Sequence, residues 1–150
     1  MQPKRILLVD DDPRDRELAL DALRQFNVAN EVVPLRDGAE ALDYLYRRGE
    51  FVGRADVDPA VVLLDLKMPR VDGFEVLRQL KTDPTKRMIP VVVMTTSREE
   101  QDLMRSYDAG VNAYVVKPLD FLELVNVVRG LGAFWVMLNE PPPKTHLPGT

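Results

Sequence analysis

Cysteine is absent from the 150-residue chain, which excludes a disulfide framework, a thiolate zinc site and thiol catalysis. Histidine is nearly absent: the one residue, His146, stands among prolines near the end, so neither serine–histidine catalysis nor a multi-histidine metal centre has the materials it needs. No apolar run approaches the roughly 18 to 20 residues needed to cross a bilayer, and the opening residues lead directly into a strand-like run rather than a signal peptide. A soluble, cytoplasmic protein without a membrane partner is expected. An excess of positive charge is missing as well. Lys and Arg number 20 against 24 Asp and Glu, for a net charge of −4, and no local basic patch offsets it, so no nucleic-acid partner is expected.

What remains is an ordinary globular composition. Hydrophobic residues make up 45% and charged residues 29%, outside the low-hydrophobicity, high-charge range of disordered chains, and the length fits one domain. Five short apolar runs, at Ile6 to Val9, Glu31 to Leu35, Val61 to Leu64, Val91 to Met94 and Ala113 to Val116, read as strands. The first, third and fourth are apolar throughout, as in a parallel sheet covered on both faces. Helical periodicity fills Pro13 to Phe26, Gly38 to Arg48, Gly73 to Lys81 and Arg98 to Ala109, and a last helix begins at Phe121.

Helix starts support the alternation. Asp37, Asp72, Ser97 and Asp120 each precede a glutamate by three residues, the spacing of a capping box. Asp12 before Pro13 is an N-cap followed by proline at the first helical position. Gly49 and Gly110 suit helix ends, and Asp83-Pro84 stops the third helix. The sequence therefore predicts a β-α unit repeated five times, an α/β fold with a five-stranded parallel sheet. Residues 1–138 are expected to form the domain with its C-terminal helical extension, and 139–150 a proline-rich flexible tail.

In such a sheet, ligands bind beyond the carboxyl ends of the strands. Those ends carry Asp10, Asp11 and Asp12, then Asp65, then Thr95 and Thr96, then Lys117 with Pro118. The first β-α turn has three aspartates where a dinucleotide site would have glycines. Clustered carboxylates without histidine or cysteine are hard oxygen donors suited to Mg²⁺, which commonly bridges carboxylates to phosphate. Lys117 would add a point charge and Thr95 a hydroxyl toward phosphoryl oxygens. Asp65 is the natural nucleophile, since a carboxylate can form an aspartyl phosphate. Read in isolation, the acidic triplet would be a solvated turn with a cap, and Tyr114 a packed strand aromatic. Joined to Asp65 and Lys117 at matching strand ends, the triplet reads as chemistry.

Four stretches carry a family resemblance: Ile6 to Pro13 (ILLVDDDP), Leu63 to Pro69 (LLDLKMP) with Asp72-Gly73, Val93 to Thr96 (VMTT), and Ala109 to Pro118 (AGVNAYVVKP). Together they resemble the receiver domain of two-component response regulators, over about residues 4 to 130. The resemblance implies the flavodoxin-like (βα)5 receiver fold and phosphoryl transfer from a sensor histidine kinase to Asp65. It further implies Mg²⁺ held by Asp10, Asp11, Asp65 and the backbone carbonyl of Lys67, with Asp10 acting largely through water. Thr95 falls on the family's switch hydroxyl, Tyr114 on its switch aromatic, and Lys117 on its lysine before a proline. Such a receiver catalyses only its own phosphorylation and dephosphorylation. Lys67 departs from the asparagine of some relatives, and its side chain is placed to restrict water access to a phosphoryl group. Asp12 reads as a helix cap rather than a ligand.

Asp37 to Leu45 (DGAEALDYL), the loop after it, and Ala133 to Leu138 (AFWVML) further resemble small receivers that partner phytochrome kinases. A homodimer is expected on a stripe of Phe121, Leu124, Val128, Leu131, Trp135 and Leu138, spaced by three and four, with Phe134 beside it. Gly130 and Gly132 weaken a single straight helix there. Two other classes compete. A Mg²⁺-dependent phosphatase or phosphotransferase with an aspartyl-phosphate intermediate would place a second acid at position 67, where a lysine stands. A flavin-binding protein is disfavoured by the acidic first turn.

Overall fold

Short runs of branched apolar residues are buried on both faces inside a covered parallel sheet, and the computed structural model of the chain assembles them that way. It describes residues 5–25, 31–55, 57–95, 102, 105, 107–111 and 113–116, apart from the side chains of Ala22, Gln25, Thr95, Ala113 and Val116. β1 (Ile6–Val9), β2 (Val32–Leu35), β3 (Val61–Leu64), β4 (Val91–Thr95) and β5 (Ala113–Val116) form one parallel sheet in the order β2-β1-β3-β4-β5. Alternation then sorts each strand into two cores. Leu7, Val9, Val62, Leu64, Val91 and Val93 pack on one face with α2 (Gly38–Leu45) and α3 (Gly73–Thr82). Ile6, Leu8, Val61, Leu63, Val92 and Met94 pack on the other with Ala19 and Leu23 of α1 (Pro13–Gln25). Every one of these strand residues is essentially inaccessible, which explains runs without a polar member.

Three helix starts follow the expected chemistry, while the expected caps Ser97 and Asp120 lie outside the described residues. Asp12 Oδ1 accepts from the Arg14 amide at 2.8 Å, Asp37 Oδ1 from Glu40 at 2.8 Å, and Asp72 Oδ1 from Glu75 at 3.0 Å. One helix end differs from expectation. α2 stops at Leu45 rather than Arg48, because Arg47 takes a left-handed φ of 53°. Its amide turns back to the Tyr44 carbonyl, and the Arg48 amide to that of Asp43, the hydrogen-bond pair of a Schellman cap with arginine in the usual place of glycine. Gly49 instead opens a short 3-10 turn (Gly49–Phe51). Asp83 ends α3 as expected.

At the end of the sheet away from the strand carboxyl ends, the Tyr46 hydroxyl donates to Asp83 at 2.7 Å and Lys86 pairs with Asp58 at 2.7 Å. β2 borders β1 alone and carries the exposed Pro34 opposite Leu8. Among the described residues, no helix is long and apolar enough to cross a membrane. The expected last helix from Phe121 and the tail lie outside the described residues.

Candidate functional site

Strand register builds the site. β1 and β3 are neighbours, with Val9 opposite Leu64, so one further step brings Asp10 beside Asp65. The Asp65 amide donates to the Val9 carbonyl at 2.9 Å and the Asp10 amide to that of Leu35 at 3.1 Å, which ties both residues into the ends of the ladder. Chain order reverses between these two strands: from β1 the chain goes to β2 on one side and then crosses to β3 on the other, the position where such sheets open a crevice.

Asp10, Asp11 and Asp65 each bring a carboxylate oxygen within 4.8 Å of the other two. Asp10 and Asp65 are buried and Asp11 faces solvent. Three like charges drawn together, two of them away from water, repel one another unless a cation joins them. An all-oxygen donor set without nitrogen or sulfur fits a hard divalent ion such as Mg²⁺ or Mn²⁺. Asp12 is no part of this cluster. Its carboxylate caps α1, while its amide donates to Asp10 Oδ1 at 3.0 Å and so orients that carboxylate.

Lys67, two residues past Asp65, lines with Asp11, Met68, Asp102 and Arg105 a cleft of about 500 Å³. Its ammonium stands 3.7 Å from the Asp102 carboxylate. Phe74 forms part of the same wall, with the Arg105 guanidinium 3.9 Å over its ring. Thr95 closes β4 at the same edge of the sheet, and Tyr114 is a half-buried residue of β5, paired with Val93 and packed against the core under α2 and α3. Lys117 and the stripe of Phe121, Leu124, Val128, Leu131, Phe134, Trp135 and Leu138 lie outside the described residues.

Three contacts at the site had no sequence signal. Arg16 donates to the Asp10 carbonyl at 2.6 Å, Asp102 meets Lys67, and Arg70 grips Asp37. The last two join residues more than thirty positions apart, and Arg16, Arg70 and Asp102 belong to no motif that the sequence offers.

A parallel sheet with carboxylates gathered at its switch edge defines a class: a doubly wound scaffold with an acidic pocket that fits a hard divalent metal. The model of the response regulator receiver domain matches residues 6–129, and the chain belongs to that family of two-component signalling proteins. Response regulator Rcp1 of Synechocystis sp. (strain ATCC 27184 / PCC 6803 / Kazusa) is 40% identical over 134 residues, spanning 89% of this chain and 90% of Rcp1. Among solved structures, the bacteriophytochrome response regulator RtBRR is 55% identical with a TM-score of 0.84, covering 94% of this chain and 85% of its own. The bacteriophytochrome response regulator AtBRR is 56% identical with the same TM-score, covering 93% and 100%. A structure of Rcp1 is described as its Mn²⁺-bound form, at 38% identity, TM-score 0.76 and 94% and 100% coverage. The chain has the flavodoxin-like receiver fold, is related to phytochrome response regulators, and carries an acidic pocket that fits a divalent metal.

Proposed function

We propose that this protein is a phosphoacceptor that receives a phosphoryl group on Asp65 from a sensor histidine kinase, and that the kinase is a bacteriophytochrome. The carrying observation is the convergence of Asp10, Asp11 and Asp65 at the ends of adjacent strands. In the step proposed, an Asp65 carboxylate oxygen forms a bond to phosphorus while the bond between phosphorus and the donor imidazole nitrogen breaks and the imidazole leaves. Asp10, Asp11, Asp65 and the Lys67 carbonyl would hold Mg²⁺. When bound, the ion supplies positive charge that lets an anionic phosphoryl group approach a carboxylate. Lys117 and the Thr95 hydroxyl would take the phosphoryl oxygens, and Tyr114 would report their movement to the surface. The identity to bacteriophytochrome response regulators supports the choice of kinase.

Output is a changed protein-binding surface rather than turnover of a substrate. Where a phosphatase of this chemistry would use a second carboxylic acid, Lys67 offers an ammonium engaged by Asp102. The apolar stripe from Phe121 to Leu138 supports a homodimer, with 139–150 as a flexible tail. Sedimentation equilibrium of the full chain against a chain ending at Gly132 tests that assembly, and a full-length monomer at high concentration refutes it.

The central test is incubation with Mg²⁺ and phosphoramidate, followed by intact mass. One phosphate per chain is expected, lost on chelation of the metal during labelling and absent from Asp65→Asn. Stoichiometric labelling of Asp65→Asn overturns the assignment, and rapid multiple turnover of the donor favours an enzyme.

A further inference from the structure

The loop after Asp65 is held at two places. At its base, the Gly73 amide donates to the Leu66 carbonyl at 2.6 Å, and a Cβ on Gly73 would collide with the carbonyl oxygen of Asp65. At its apex, Arg70 takes a left-handed φ of 65°, a conformation that side chains other than glycine occupy only where surrounding contacts impose it. From there its guanidinium reaches across to the turn between β2 and α2. Nε and one terminal nitrogen donate to the two carboxylate oxygens of Asp37 at 2.8 and 2.9 Å.

Asp37 is itself fixed. Its Oδ1 also caps α2, its side chain is largely buried, and the Arg70 guanidinium holds its carboxyl below the ordinary carboxylate range. Next to Arg70, the Val71 carbonyl lies so close to Gly38 that no side chain fits between them. Exposed ion pairs usually contribute little because two long side chains must be ordered in water. A guanidinium fork on a rigid, mostly buried carboxylate differs, since both hydrogen bonds have fixed direction and only one partner has to be ordered.

We infer that Arg70 is a positioning residue for the metal site: by gripping Asp37 it fixes the loop from Leu66 to Asp72, and with it the Lys67 carbonyl next to Asp65. A divalent ion then meets a preformed oxygen set instead of ordering a loop as it binds. The inference rests on the reading of Asp10, Asp11 and Asp65 as a divalent-metal site and is independent of the phosphodonor.

The test is Mn²⁺ titration by calorimetry of the full chain and of Arg70→Gly, Arg70→Lys and Asp37→Asn, together with hydrogen exchange at the Gly73 amide. Arg70→Gly favours the left-handed backbone while removing the fork, and Arg70→Lys keeps the charge without it. Asp37→Asn retains an N-cap oxygen. Arg70→Gly and Asp37→Asn should each weaken Mn²⁺ binding by roughly ten-fold or more, as loss of a supporting partner does elsewhere. Arg70→Lys should fall between them and the parent. The double variant should bind no worse than the weaker single one, because both changes remove one interaction. Exchange at Gly73 should quicken in parallel. Parent-like Mn²⁺ affinity in Arg70→Gly, with or without faster exchange, overturns the inference. If Arg70→Gly fails to fold, parent-like affinity in Asp37→Asn has the same force. Weakened Mn²⁺ binding in a chain whose Asp65 takes no phosphate would refute the phosphoacceptor reading and leave this one standing.

Discussion

The Lys67 ammonium lies 3.7 Å from the Asp102 carboxylate, so the residue two places after Asp65 is tethered to the helical turn between β4 and β5. Lys67 is largely exposed and Asp102 largely buried, which makes the acid the fixed end of the pair. A tether from that side holds the lysine stem along the wall of the cleft beside Asp11.

Removal of that stem should open the phosphoryl group to water. Lys67→Ala is expected to shorten the aspartyl-phosphate lifetime by about two- to five-fold, because a pair this exposed contributes at most about 1 kcal/mol. Asp102→Asn, which frees the ammonium to reach phosphoryl oxygens, should lengthen it. Decay followed by intact mass after donor removal checks both, and identical decay in all three proteins would count against the arrangement.

Gly73→Ala should destabilise the fold by about 1 to 3 kcal/mol, the range for forcing extra volume into a packed place, since backbone atoms of Asp65 and Leu66 occupy the space. Gly53→Ala has open space around it and should be neutral or slightly stabilising. Urea denaturation of the two variants distinguishes close approach from a general intolerance of alanine.

Tyr46 and Asp83 predict a pH response at the opposite end of the molecule. Burial first, then the hydrogen bond to Asp83, push the Tyr46 hydroxyl up to about 12. A raised pKa means the folded state favours the protonated phenol. Its stabilisation is therefore complete below about pH 10 and lost as pH rises toward 12. Asp83 is held below its usual range, first by the Tyr46 hydroxyl and then by Thr85, so its contribution is present above about pH 4 and lost in acid. The stability difference between the parent and Tyr46→Phe should shrink from pH 8 to pH 11.5 in urea titrations. A constant difference would disprove the coupling.

Beryllofluoride with Mg²⁺ should shift the NMR signals of Thr95 and Tyr114 beyond the change caused by Mg²⁺ alone. Tyr114 is half-buried and packed against the core below α2 and α3, so a reorientation of its ring would change its exposure. Signals that stay put on beryllofluoride addition would refute its role as a switch.

The strands were legible because their signal is local, and the acidic cluster because its members each stand directly after such a strand. Ile6 to Val9 and Val61 to Leu64 announce themselves by composition, and a parallel sheet necessarily aligns the residues at their carboxyl ends. The end of α2 was not legible: Gly49 looked like the terminator, yet Arg47 accepts the left-handed position before the expected last turn is complete. Nor was the grip of Arg70 on Asp37, which spans 33 positions and depends on how two loops meet above the sheet. Arginine in a loop gives no sign of its partner. Only the backbone conformation of Arg70 and the closeness of Val71 to Gly38 reveal that the two turns are joined.

Pro34 has a consequence for how this protein meets others. It sits exposed in the outermost strand on its side, where any other residue would offer an amide to a passing backbone. A proline there offers none, so a foreign strand laid along β2 loses a hydrogen bond at that position. On that flank, recruitment by strand addition is disfavoured, and so is the edge-to-edge pairing by which exposed sheets aggregate.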